Sequence, residues 1–344
     1  MKRSFEYSLA ACCISFFALA LAGCGGGGGV NSTPTPTPPP TNPPASEPPP
    51  TPTPSDPTPP EPRPTFPLSK AGTLPGFISL VGYTGKLGSG INDVSNASFT
   101  EFGVYGLPGK MSVQYNPLQK TYTVQDTSVS ATFGLGDKID SVGYEHRFQT
   151  SDTGSSDSLS LYGNAIFPAP NGEAPVKLSY TSYARWSHTD TALDHTTISY
   201  AVFGLITPEA DIPRAGKSSF TGTVVGDMYE FDHIKPRTRS LSGDATFSAD
   251  FAAGTVSTLL NLNARGASFT GEGTISASEF GGLFVSSNRR NFEGGQFKGA
   301  FFGPAADEFG YSFFISEYNP DPYAGASVAP MKTWYSGVVV GKAD

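Results

Sequence analysis

Two imidazoles and two carboxylates fall close together in this chain: His188 and His195 flank Thr189-Asp190-Thr-Ala-Leu-Asp194. That set of side chains could ligate a metal ion or contact haem. Its spacing matches no standard metal motif, and it sits in a polar stretch between two strand candidates that gives it no fixed geometry. A solvated hairpin tip is the better reading. Asp227, Asp232 and His233 likewise read as exposed turn residues. Nucleophilic catalysis has less support: there is no Gly-x-Ser-x-Gly elbow, and the serines are scattered through strands and turns. Asp307 and Glu308 are adjacent, so on a strand they face opposite sides and cannot share a substrate. The glycine pairs Gly281-Gly282 and Gly294-Gly295 have no following helix and are not phosphate loops. A net charge of −8 argues against a nucleic-acid partner, and Arg289-Arg290 is a small solvated basic spot. No catalytic residue, metal or cofactor is expected, and an enzyme is the least expected class.

The elements around these residues are clearer than the residues themselves. Lys2 and Arg3 precede an apolar run from Leu9 to Leu21 that ends in Leu21-Ala22-Gly23-Cys24. A cationic start, a short apolar stretch and small residues describe a cleavable export signal. A spanning helix needs roughly 20 apolar residues, which this run lacks. The cysteine after the small pair completes a lipobox, in which the thiol is acylated and becomes the new N-terminus. Of the three cysteines, Cys12 and Cys13 leave with the signal at 1–23, so Cys24 alone remains, lipidated rather than disulfide-bonded. Gly25 follows it in place of the Asp of an inner-membrane retention signal, which points to the outer membrane.

Residues 24–67 form a Gly/Pro/Thr-rich tether holding more than half of the chain's 31 prolines. Such a segment has little to bury and favours extended polyproline II, so about 40 residues reach on the order of 100 Å. That length would clear an outer-membrane sugar layer, and surface display is expected over a periplasmic location.

The texture beyond Leu68 is all-β. Gly (40), Phe (25) and Tyr (15) are abundant, and β-branched and aromatic residues alternate in runs such as Lys120–Asp126, Leu159–Gly163, Val176–Trp186 and Thr197–Phe203. The glycines and prolines of Gly204–Gly216 mark a boundary, predicting a β-rich handle over 68–213 and a second domain over 214–344. There, strands are predicted at 217–226, 240–250, 254–263, 267–276, 280–286, 294–303, 307–316 and 332–341, enough for an eight-stranded antiparallel barrel. An echo runs through them: Phe220-Thr-Gly222, Phe269-Thr-Gly271 and Phe297-Lys-Gly299 each lead to Glu-Phe, at 230–231, 279–280 and 308–309. Glycine two places after an inward aromatic leaves room where strands bend around a small barrel.

The segment Gly299-Ala-Phe-Phe-Gly-Pro-Ala-Ala-Asp-Glu-Phe-Gly-Tyr-Ser-Phe313 resembles a signature of the transferrin-binding protein B family, Gly-x-Phe-Tyr-Gly-Pro-x-Ala-x-Glu followed by a glycine pair. Gly303, Pro304, Ala306, Glu308 and Gly310 match, whereas Phe302 replaces the usual Tyr and Tyr311 the second glycine. Phe280-Gly-Gly-Leu-Phe and Phe292-Glu-Gly-Gly-Gln-Phe also resemble the family's last strands. Read physically, Gly303, Pro304, Glu308 and Gly310 are structural residues of a hairpin turn and not a site. The resemblance implies one handle-plus-barrel lobe, similar to the smaller members of that family. It also implies non-catalytic capture of a protein or protein-borne nutrient, of the iron- or haem-carrier class, with a TonB-dependent receptor as a possible membrane partner. An immune-regulator role stays open, as do a structural envelope lipoprotein and a small-ligand-binding barrel. Candidate contacts are the handle aromatics Tyr180, Tyr183, Trp186, Tyr200 and Phe203, with His188 and His195 beside them; buried structural aromatics are the competing reading.

Overall fold

The computed structural model describes residues 72–86, 97–107, 111–142, 145–163, 176–231, 237–288, 291–319 and 331–344. The signal at 1–23, Cys24, the tether to residue 67, Asp232, His233 and Arg289-Arg290 lie outside the described residues.

Ten strands make the handle: β1 (Gly72–Thr84), β2 (Ser98–Tyr105), β3 (Met111–Asn116), β4 (Thr121–Gln125), β5 (Ser130–Phe133), β6 (Lys138–Val142), β7 (Glu145–Ser151), β8 (Ser155–Tyr162), β9 (Thr181–Asp190) and β10 (His195–Gly204). They lie in the order β5-β4-β3-β1-β10-β9-β8-β7-β6, with β2 also on β1. The length of β1 makes this possible. Its first five residues pair with β3, and the remainder pairs with both β2 and β10. One face of the sheet buries Ile78, Leu80, Leu159, Leu161, Trp186 and Phe203 in the handle's own core. The other face carries Phe77, Val81, Tyr183, Ile198, Tyr200 and Val202 toward the second domain.

That domain is a closed antiparallel barrel of β11 (Lys217–Phe231), β12 (Arg237–Asp250), β13 (Thr255–Leu262), β14 (Ala267–Ser276), β15 (Glu279–Ser287), β16 (Phe292–Phe302), β17 (Glu308–Asn319) and β18 (Met331–Ala343). Strand β11 closes it by pairing with β12 on one side and β18 on the other. Each of the eight strands expected from alternation is present. In β13 the alternation is strict, with Val256, Thr258, Leu260 and Leu262 inside and Thr255, Ser257 and Leu259 outside. Interior apolar and exterior polar residues are the reverse of a membrane-spanning barrel.

The interior is filled by rings. Phe247 stacks on Phe309 with centroids 4.5 Å apart, and Phe220, Phe269, Phe280, Phe297 and Phe301 complete the packing. Tyr311, which stands in place of the family's second glycine, is fully buried among them, its hydroxyl 2.9 Å from Thr258 Oγ1. This packing leaves the small-ligand-barrel alternative without support. It also explains the sequence echo: a Cβ on Gly271 would lie 2.9 Å from Phe297 Cε1. The glycine makes room inside the barrel for a ring carried two strands away, on β16.

Two local expectations differ from the structure. Residues 188–195 are not a hairpin tip: the strands extend through His188 and from His195, and the turn is confined to 191–194. The predicted strand starting at Val176 begins instead at Thr181. The preceding residues are held against the barrel, with Leu178 buried in the shared core and the Ser179 and Tyr180 amides bound by Glu308.

Candidate functional site

Handle and barrel meet along a shared apolar core in which Phe77, Tyr183, Tyr200 and Val202 pack against Tyr229, Phe302, Phe314, Trp334 and Val338. Buried hydroxyls stitch it: Ser79 Oγ lies 2.8 Å from Ser336 Oγ, and Ser312 Oγ donates to the Phe77 carbonyl at 2.6 Å. The Gly303–Gly310 motif belongs to this junction. Gly303 has φ +78°, and a Cβ there would stand 2.4 Å from the Tyr180 ring. A Cβ on Gly310 would stand 2.5 Å from Val202 Cγ2. Pro304 opens the short 3-10 turn that delivers Glu308 to the start of β17. There the Glu308 carboxylate accepts the backbone N–H groups of Ser179, Tyr180 (3.0 Å) and Thr181 (2.8 Å). Burial raises the Glu308 pKa above the usual carboxylate range, and these amides offset only part of that cost. The motif is more than a hairpin turn: it fastens the handle to the barrel.

On the β7–β9 side the two domains diverge and open a cleft of about 370 Å³. Cross-strand register builds its handle wall. Arg147 pairs with Ser160, Ser160 with Arg185, and Arg185 with Tyr200, so these four form one row on the barrel-facing side. Glu145 and Ser158 flank that row, and the barrel contributes Val225, Gly226, Asp227 and Ser240. At the cleft's inner end Arg185 bridges the domains, donating to Asp227 Oδ2 from Nε (3.2 Å) and Nη2 (3.1 Å) and to Tyr200 Oη (3.1 Å). Burial works against the Arg185 charge, yet Tyr200, Asp227 and Tyr229 around it raise its pKa on balance. Burial, with Asp227 beside it, pushes the Tyr200 phenol well above its ordinary value. Asp227, expected to be an exposed turn residue, is a buried member of β11. Among the described residues no three His, Cys, Asp or Glu side chains converge as a metal site.

The seven handle residues singled out in the sequence do not share one surface. Tyr180 packs on Gly303 at the junction. Tyr183 is buried on the barrel-facing side, stacked on Tyr162 and donating to Glu145 Oε1 at 2.8 Å. Trp186 points the opposite way, with its Nε1 donating to Asp157 Oδ1 at 2.9 Å. His188 Nδ1 is 2.8 Å from the same oxygen. His195 Nε2 lies 3.1 Å from Thr100 Oγ1, away from both. Of the other two aromatics, Tyr200 faces the cleft and Phe203 the handle core.

A second surface escaped sequence reading. Phe102 on β2 is 51 % exposed, although it stacks on Phe314 (5.0 Å between centroids) and sits 4.3 Å from the Trp334 ring. The sequence carries no sign of it, because Phe102 and its two partners lie more than two hundred residues apart in the chain.

Comparison with known proteins identifies the second domain. Residues 212–331 match the family described as C-lobe and N-lobe beta barrels of Tf-binding protein B. This barrel is of the transferrin-binding protein B type. The transferrin-binding protein B match begins just before β11 and ends at the start of β18, and so covers the domain that carries the Gly303–Gly310 motif. Among solved structures, intact Ap-TbpB with both lobes is similar over 80 % of this chain and 78 % of that one (TM-score 0.36, 10 % identity). A double mutant of transferrin-binding protein B from Haemophilus parasuis Hp5 gives 80 % and 76 % (TM-score 0.38, 12 % identity). The haemoglobin receptor HpuA from Kingella denitrificans gives 80 % and 89 % (TM-score 0.34, 13 % identity). All three are distant in sequence and superpose loosely. No curated protein sequence matches the chain.

Proposed function

We propose that this chain is an outer-membrane lipoprotein of the cell surface that captures a protein carrying iron or haem, without catalysis. In this reading Cys24 is acylated after removal of residues 1–23. The 24–67 tether then holds the handle (68–213) and barrel (214–344) away from the bilayer, within reach of a TonB-dependent receptor. The observation that carries the proposal is the transferrin-binding protein B match over the barrel. The Phe102 platform supports it: a large exposed aromatic backed by Phe314 and Trp334 is the kind of rigid, apolar anchor that protein interfaces use. The buried positions of Tyr183 and Trp186 favour this platform over them as the contact for a macromolecule.

The test is capture by the chain from Gly25 onward, immobilised and offered iron-loaded transferrin, haemoglobin and free haem. Retention of a carrier protein, lost in Phe102→Ala while that variant still unfolds cooperatively, is the expected result. If no carrier is held at micromolar concentration, the capture reading fails. Protease shaving of intact cells tests display, and Cys24→Ser should release the protein from the membrane fraction.

A further inference from the structure

We propose that the cleft between handle and barrel is a binding site for a small hydroxylated carboxylate, the chemistry shared by hydroxy acids and acidic sugars. The argument starts from the charges. Arg185 is held by Asp227 and Tyr200, and Glu145 Oε1 is taken by the Tyr183 hydroxyl. Arg147, on the same wall, is different: its Nε is buried and has no hydrogen-bond partner among the described residues. Arg147 as a whole is half-buried, lines the cleft and has no ion pair among the described residues, so a ligand oxyanion seated against the open side of its guanidinium would supply a charge-assisted hydrogen bond.

Three serines also line the cleft. Ser158 and Ser160 alternate on β8, so both point the same way beside Arg147, and Ser240 faces them from the barrel. Each hydroxyl both donates and accepts, which suits a polyhydroxylated partner. A cavity of about 370 Å³ lies at the small end of ligand-binding pockets. Its walls also carry Phe148, Leu159, Val225 and Leu241, which suit the carbon skeleton of such a ligand. Because the walls belong to two domains joined by Arg185 and Asp227, the site exists only in the docked lobe.

The experiment is calorimetry on the chain from Gly25 onward with three probes. They are citrate, N-acetylneuraminate and 3′-sialyllactose, with galactose as the uncharged control. Saturable binding of citrate alone identifies a free hydroxy acid as the ligand class; binding of both sialyl probes identifies a glycan terminus. In either case Arg147→Gln should weaken binding about tenfold or more, the size of one lost charged hydrogen bond. Ser240→Asp, an exposed change on the opposite wall, should weaken it by repulsion without altering the melting temperature. The proposal is overturned if none of the three acids binds saturably, if galactose binds as well as they do, or if Arg147→Gln binds like the parent.

Discussion

Arg185 of the handle and Asp227 of the barrel are joined by two hydrogen bonds, with the Arg185 Nε–H shared between the carboxylate and Tyr200. Their backbones belong to different sheets, so the pair reports on domain docking and not on either sheet alone. Asp227→Asn would leave a guanidinium in the interface without its counter-charge. Because the Arg185 side chain is still 31 % exposed, the expected loss is about 2 kcal/mol, below the usual cost of breaking a fully buried pair. The double change Asp227→Asn, Arg185→Met should recover most of it. Urea unfolding checks this, and an unaltered midpoint for Asp227→Asn would rule it out.

Gly310 and Val202 give a second probe of the same seam. Gly310→Ala puts a methyl 2.5 Å from Val202 Cγ2, an overpacking that should cost roughly 1–3 kcal/mol. Val202→Ala removes the clashing methyl. The two changes together should therefore be less harmful than the sum of their separate effects, by about 0.5 kcal/mol or more. Strict additivity in a thermal double-mutant cycle would mean that the close approach is not felt.

Glu308 makes a prediction about pH with a definite sign. Its pKa is raised in the folded protein, so the folded chain holds this proton more tightly than the unfolded one. The stability it contributes is present below the ordinary carboxylate value and is lost as pH rises through the higher folded value. The difference in melting temperature between parent and Glu308→Gln should therefore move in the parent's favour as pH falls from neutrality toward 4.5, the ordinary value. A difference that moves the opposite way would show the three amides outweighing burial.

Tyr311 tests whether the barrel is solid. Tyr311→Phe removes a hydroxyl whose partner Thr258 retains the Thr246 carbonyl at 3.2 Å, so the cost should be about 1 kcal/mol. Tyr311→Ala should cost roughly 3–5 kcal/mol, because the surrounding phenylalanines cannot close the hole. Denaturant midpoints measure both. A neutral Tyr311→Ala would imply an interior loose enough to admit a ligand.

Much of the architecture could be read from the residue string because strand physics is local. Alternation such as Ala245-Thr246-Phe247-Ser248-Ala249 assigns faces, and Gly204–Gly216 breaks the pattern where one sheet ends and the next begins. The length and aromatic content of the last eight strands were enough for a closed barrel, and the Gly303-Pro304 motif was enough for its type. Recognition sites obey no such local rule. The carboxylate of Glu308 meets amides 127 to 129 residues earlier. Arg147, Ser160, Arg185 and Tyr200 become neighbours through the pairing of four strands, and Asp227 joins them through the packing of two sheets. Trp186 and Tyr183 differ in side by an odd spacing, which alternation conveys, but which side is core and which is junction depends on what packs there. Periodicity follows from backbone geometry and is written along the chain. Juxtaposition follows from the folded packing of segments far apart, and no spacing between residues encodes it.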